Sequence, residues 1–174
     1  MTGFHVAQLN VGRSVASLDD PIMAGFMDRL ADINALGERS PGFVWRLQGE
    51  TGNATTIHAY DDPRMIVNLT VWESIEDLYA FAYHSQHMEV FRRRREWFEQ
   101  LDGPSLVLWW LPAGELPTVA EARSRLDLLA ANGPTAEAFT FKTRFHPSVS
   151  STSAMTVSSL ATASVSARVP PGGP

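Results

Sequence analysis

The sequence predicts a single α+β domain, and three observations carry that expectation. Breaker-free alternating runs suited to strands are interleaved with capped runs of helical period, in the order strand, helix, strand, strand, helix, strand. Each strand splits into one nearly apolar set of side chains and one mixed set. A length of 174 residues with 44% hydrophobic residues is enough for one core of that kind.

Phe4 to Val11 alternates without a breaker and reads as the first strand. Asp19-Asp20-Pro21 supplies a cap with proline at the first helical position; Ile22, Phe26, Leu30 and Ile33 follow as one apolar stripe, and Gly37 closes the run. Pro41-Gly42 punctuates, Phe43 to Gln48 reads as the second strand, and Gly49 to Asn53 is turn-like. Thr55 to Tyr60 reads as an extra hairpin strand, and Met65 to Trp72 as a strong third strand. Ser74 with Asp77 three residues on makes a capping box that opens a second helix through Ile75, Leu78 and Ala82. His84-Ser85-Gln86-His87 bends that helix before Met88 to Leu101 continues it, and Gly103-Pro104 ends it. Ser105 to Leu111 is an almost wholly apolar fourth strand. Pro117 to Asn132 is a third, amphipathic helix, with Gly133-Pro134 as its stop and Phe139 to Phe145 extended after it. This is the ferredoxin-like βαββαβ plan with a C-terminal helical extension, its sheet covered by helices on one face only.

Composition changes sharply after Pro147. From Ser148 to Pro174 there are eight Ser, three Thr, four Ala, a single charge and no aromatic residue. Such a segment buries too little to offset the entropy of ordering, so the domain is expected over 1–147 and a disordered tail over 148–174. The chain has 14 Lys and Arg against 19 Asp and Glu, a formal charge of −5, which excludes a nucleic-acid face built by bulk charge. Absence of cysteine excludes disulfides, thiolate catalysis, Cys-ligated zinc and iron–sulfur clusters. No apolar run approaches the ~18 residues of a membrane span, and Met1–Val11 lacks the build of a secretory signal. A cytoplasmic protein with no membrane or nucleic-acid partner is therefore expected.

The strands also indicate a pocket. Val67, Leu69 and Val71 form an apolar set suited to lie under the helices, against Ile66, Asn68, Thr70 and Trp72. His5, Ala7, Leu9 and Val11 are set against Phe4, Val6, Gln8 and Asn10, and Phe43, Trp45 and Leu47 against Val44, Arg46 and Gln48. Solvent does not call for Phe4, Ile66 or Trp72, and a dry core does not tolerate Gln8, Asn10, Arg46 and Asn68. A ligand cavity accommodates both, and two such sheets meeting across a dimer axis enclose one. Phe4, Gln8, Arg46, Gln48 and Thr70 are thus candidates for substrate contact. A dimer-buried face with satisfied amides is the alternative.

FVWRLQ at 43–48, IVNLTVWESIEDL at 66–78, HMEVFRRRREWF at 87–98, LWWLPAGELPT at 108–118 and GPTAEAFTF at 133–141 cover much of the folded part. In these stretches the chain resembles the DUF3291 family of dimeric α/β-barrel proteins, relatives of the antibiotic-biosynthesis monooxygenases. The resemblance implies a homodimer through the sheet. It also implies, for Asn68-x-x-x-Trp72 aided by Asn10, oxygenation of electron-rich polycyclic phenols without metal or flavin. Such a substrate, once deprotonated, passes an electron to O₂ itself. The protein need only hold the ring and stabilise an oxyanion, with Asn68 and Asn10 as donors and Trp72 as an aromatic wall. Asn68 as a structural hydrogen-bonder and Trp72 as core remain open.

His84 and His87, three apart on a helix, share a face, and distant relatives of the barrel bind haem. No third ligand with clear spacing accompanies them, so no metal is expected, haem is kept as an alternative, and His87 is a general-base candidate. Arg92 to Arg95 occupies every face of a helix, and ion pairs with Glu96 and Glu99 are its default role, with an anion site as the alternative. The sequence thus points to a small enzyme acting on an aromatic or polyketide-like molecule, most concretely a cofactor-independent monooxygenase. A non-catalytic, ligand-binding or stress-related dimer is the rival, followed by an isomerase or cyclase.

Overall fold

The structure, a computed structural model, describes residues 3–85 and 87–147. The tail expected over 148–174 lies outside the described residues. Strand β1 (Phe4–Arg13) pairs antiparallel with β3 (Met65–Trp72) on one side and β4 (Leu106–Pro112) on the other. Strand β2 (Phe43–Arg46) joins β3, giving the order β2-β3-β1-β4. That antiparallel order is the ferredoxin-like arrangement, and the fold class is α+β as the element order predicts.

Local chemistry fixes the helix starts. Asp20 accepts from the Ile22 N–H at 3.0 Å and opens a 3₁₀ turn, Pro21–Met23, ahead of helix α1 (Ala24–Glu38). Ile22 stands on that turn and is 55% exposed, so it drops out of the expected stripe. Ser74 accepts from the Asp77 N–H at 3.0 Å and caps α2 (Ile75–His84), as the sequence predicts. Thr118 likewise caps α4 (Val119–Asn132). At Gly42 the chain turns with φ +72°, and the Asp77 carboxyl occupies the place a Cβ would take. Only glycine meets both demands there.

Three segments differ from expectation. Residues 55–60 form no strand, because the Asn53 side chain accepts from the Thr55 N–H and winds Ala54–Thr56 into a 3₁₀ turn. Ser85, extended at φ −109° and ψ 179°, breaks the second helical run, and α3 spans only His87–Arg93. The chain then passes through a 3₁₀ turn, Arg94–Glu96, and bridges from Phe98 back to Ser14 at the end of β1. Within 139–145 only Phe139 pairs with the sheet, through two 2.8 Å bonds with Leu108.

The largest correction concerns the faces. Ala7, Leu9, Val11, Val67, Leu69, Val71, Val107 and Trp109 lie under α4, in one core with Ala122, Leu126 and Leu129. The mixed face, not the apolar one, lies under α1, α2 and α3. In β2 a bulge between Phe43 and Trp45 breaks the alternation, so Phe43 pairs with Trp72 and Arg46 with Thr70 on the mixed face, while Trp45 packs on the apolar core. Both faces are thus covered within one chain. The mixed-face residues expected to meet a second sheet are instead covered by α1, α2 and α3 of their own chain, and the apolar set expected under those helices is covered by α4.

Candidate functional site

The mixed face has a dry end and a hollow end. At the dry end Val6, Trp72 and Leu108 pack beneath Ile75, Leu78 and Phe139, with Phe43, Phe81, Trp110 and Phe145 around them. The Trp110 Nε1–H donates to the Phe145 carbonyl at 2.7 Å and ties the C-terminal segment over this end. At the hollow end α1 and α3 stand away from the strands and leave a cavity of about 730 Å³. That volume suits a drug-sized organic ligand.

Its floor comes from the centre of the sheet. Asn10 on β1 pairs directly across from Asn68 on β3, and Gln8 lies one step along the same face. Asn68 is exposed although it is mid-strand, because it opens into the hollow. No hydrogen bond is made by the Asn10 or Asn68 carboxamide among the described residues. Gln8 is held from behind: the Trp72 Nε1–H donates to Thr70 Oγ1 at 3.0 Å, and the Thr70 hydroxyl donates to Gln8 Oε1 at 2.9 Å. That chain fixes the flip of the Gln8 amide and leaves its NH₂ as a donor toward the cavity.

The walls are aromatic and aliphatic: Phe26, Leu30 and Ile33 from α1, Phe81 and Tyr83 from α2, and Phe98 beyond α3. Phe98 approaches β1 so closely that a Cβ on Gly12 would lie 2.8 Å from its ring. Phe26 meets that ring edge-on at 5.1 Å. The rim is cationic, with Arg29, Arg46, Arg94 and Arg95. Glu99 is the lining carboxylate, and both its oxygens are engaged, by Arg13 at 2.7 Å and Arg64 at 2.9 Å. Those bonds, the one from Arg13 foremost, hold the Glu99 carboxyl below its ordinary range.

Several sequence candidates meet here and others do not. Asn10, Asn68, Gln8 and Arg46 line the cavity. Arg46 donates to Glu38 at 2.8 Å and to the Gly52 carbonyl at 2.8 Å, so its charge is already matched. Trp72 is fully buried, stacked on Phe81 at 5.1 Å and edge-on to Phe43 at 5.3 Å. It is not a wall of the main cavity and borders only a recess of about 30 Å³ beside it. Thr70 borders the same recess and carries the link from Trp72 to Gln8. Phe4 sits at the far end of β1 opposite Pro112, and Gln48 is exposed beyond the end of β2; neither reaches the cavity. The side chain of His87 lies outside the described residues. The break at Ser85 separates it from His84, so the two do not share a continuous helical face.

Sequence reasoning passed over Asn34, Arg29 and the cavity-facing side of the Arg run. Asn34 had a legible signal, a carboxamide four residues after Leu30 inside an apolar stripe. Of the expected ion pairs in that run, Arg93–Glu96 forms at 2.8 Å, with Arg93 also 5.0 Å from the centre of the Trp97 ring. No cluster of three or more His, Asp or Glu placed to hold a metal occurs among the described residues. The described lining supplies no imidazole, and the His87 side chain lies outside the described residues. No helix among the described residues is long and apolar enough to cross a membrane.

A family model described as a domain of unknown function, DUF3291, matches residues 5–155. No curated protein matches the chain. Among solved structures, a protein of unknown function from Nitrosomonas europaea is 12% identical at a TM-score of 0.43, covering 68% of this chain and 99% of its own. A monooxygenase from Streptomyces coelicolor in complex with nanaomycin D is 18% identical at a TM-score of 0.36, covering 67% and 94%. A heme-degrading protein from Mycobacterium tuberculosis is 16% identical at 0.35, covering 67% and 98%. Likenesses this low say nothing of activity.

Proposed function

This chain belongs to the DUF3291 family, and we propose that its cavity binds a planar aromatic molecule and promotes oxygenation of that molecule by O₂. The observation that carries the reading is the pair Asn10 and Asn68, cross-strand neighbours in the floor of an aromatic-walled cavity, with no partner among the described residues. A carboxamide with no partner in the protein has its NH₂ free to donate to an oxyanion as charge develops. Phe26, Phe81 and Phe98 hold the ring beside them.

For an anthrone the chemistry balances without a further reductant. The ring-stabilised enolate gives one electron to O₂, the two radicals combine at the ring carbon, and loss of water from the hydroperoxide leaves a carbonyl. One anthrone and one O₂ become one anthraquinone and one water. The protein's part is to orient the ring, stabilise the enolate oxygen and exclude bulk water.

The test is oxygen uptake by purified protein with anthrone and no added cofactor. Asn68→Ala and Asn10→Ala are each expected to lower the catalysed rate by about 10²-fold, the usual loss on removing one oxyanion donor. Uptake at the uncatalysed rate, with the anthrone nonetheless bound, leaves the rival reading of a ligand-binding protein. One observation favours that rival: the described lining offers no free general base, since Glu99 is held ionised by Arg13 and Arg64. Homodimer formation is a separate proposal that the cavity does not require, and light scattering tests it.

A further inference from the structure

We infer that the cavity's ligand is an aromatic carboxylate, with its carboxylate held by Arg29 and Arg95; this rests on the cavity being the ligand site. The chain as a whole is acidic, at −5, yet four arginines line this one cavity. Arg46 is matched by Glu38. Neither Arg29 nor Arg95 lies within salt-bridge distance of a carboxylate among the described residues. Arg29 donates to the Gly25 carbonyl at 2.7 Å and stands 6.0 Å from the Trp97 ring, with the Glu96 carboxylate near enough to feel its charge but not within salt-bridge distance. The only lining carboxylate among the described residues, Glu99, is engaged on both oxygens by Arg13 and Arg64, which are not part of the lining.

The floor points the same way. Asn10, Asn68 and the Gln8 NH₂ can all donate to a ligand on the cavity floor, and the arginines add positive charge beside them. A ligand complementary to that surface is rich in acceptors and negatively charged. A carboxylate matches the guanidinium fork better than a spherical anion does, and the aromatic walls select a ring to carry it. With no free base among the described lining residues, a ligand that arrives already ionised also needs no proton removed for it to bind.

The test compares 2-naphthoate with 2-naphthamide, which share ring and shape and differ in charge, by titration against the full chain. The carboxylate is expected to bind roughly tenfold more tightly in low salt, and the preference to shrink as ionic strength rises. Arg95→Gln is expected to remove most of that preference, weakening naphthoate binding several-fold more than naphthamide binding. Arg92→Gln, an exposed position outside the lining, is expected to alter neither. Equal binding of the two probes, or equal effects of Arg95→Gln and Arg92→Gln, overturns the inference and leaves the cavity reading standing. If neither probe binds, the cavity reading falls, and the inference with it.

Discussion

Asn68 is a polar residue exposed in the middle of a four-stranded sheet, and nothing in the stability of the fold asks for it. With no partner to lose among the described residues, Asn68→Ala should change stability by no more than about 0.5 kcal/mol, as for other substitutions outside the core, while weakening ligand binding. Thermal unfolding and ring titration on the same sample check the two together. Trp72→Phe should behave in the opposite way. It removes the donor to Thr70 and part of a fully buried ring, and about 1–3 kcal/mol of stability is expected to go before binding suffers. Gly12→Ala forces the Phe98 ring to move from a 2.8 Å approach, and the room left for it is the cavity. Reduced affinity with a modest stability loss of about 1 kcal/mol is the expected result, read by titration and denaturant unfolding.

At the scale of elements, α1 and α4 do different work. Leu126 and Leu129 of α4 are at most 7% exposed and complete the apolar core, whereas the only buried residue in α1 is Gly37. Leu126→Ala should therefore cost about 2–4 kcal/mol, and Leu30→Ala in α1 clearly less, with its main effect on ligand affinity. Denaturant midpoints of the two variants check this. The same difference explains what the sequence could and could not tell. Caps at Asp20 and Ser74 and the alternation of Val67, Leu69 and Val71 are local signals, and they placed the starts of the first two helical runs and divided the faces of β3 correctly. Which face the helices choose is not local. It is decided by α4, whose apolar stripe took the all-apolar face and left the amide-bearing face to α1 and α3. The bulge at β2 was equally hidden, because a one-residue insertion moves Phe43 to the other set without changing composition.

For the whole molecule the consequence is a cavity complete within one chain, so ligand should bind at one per chain whatever the oligomeric state. Beside the hollow end of the sheet, Glu99 belongs to a network of charges. Arg13 bonds Asp62 at 2.6 Å and Glu99 at 2.7 Å, and Arg64 bonds Glu99 at 2.9 Å. The Asp62 carboxyl is held below its ordinary range by the Arg64 backbone N–H first and Arg13 second. A carboxylate depressed in the folded state stabilises above its unfolded pKa of about 4 and loses that contribution as pH falls through the lower, folded value. Stability should therefore fall below about pH 4, and Glu99→Gln should flatten part of that fall, a difference visible in melting temperature against pH.

Asn10 and Asn68 form the floor of the cavity inside a single chain, and ligand bound there must contact them. The most direct test is the side-chain NH₂ resonances of the protein on addition of 2-naphthoate. Saturable shifts of the Asn10, Asn68 and Gln8 carboxamides are expected at one ligand per chain, with Gln48 and Asn53 unmoved. Shifts centred on Gln48 or Asn53, with Asn10 and Asn68 silent while the ligand is bound, contradict that placement.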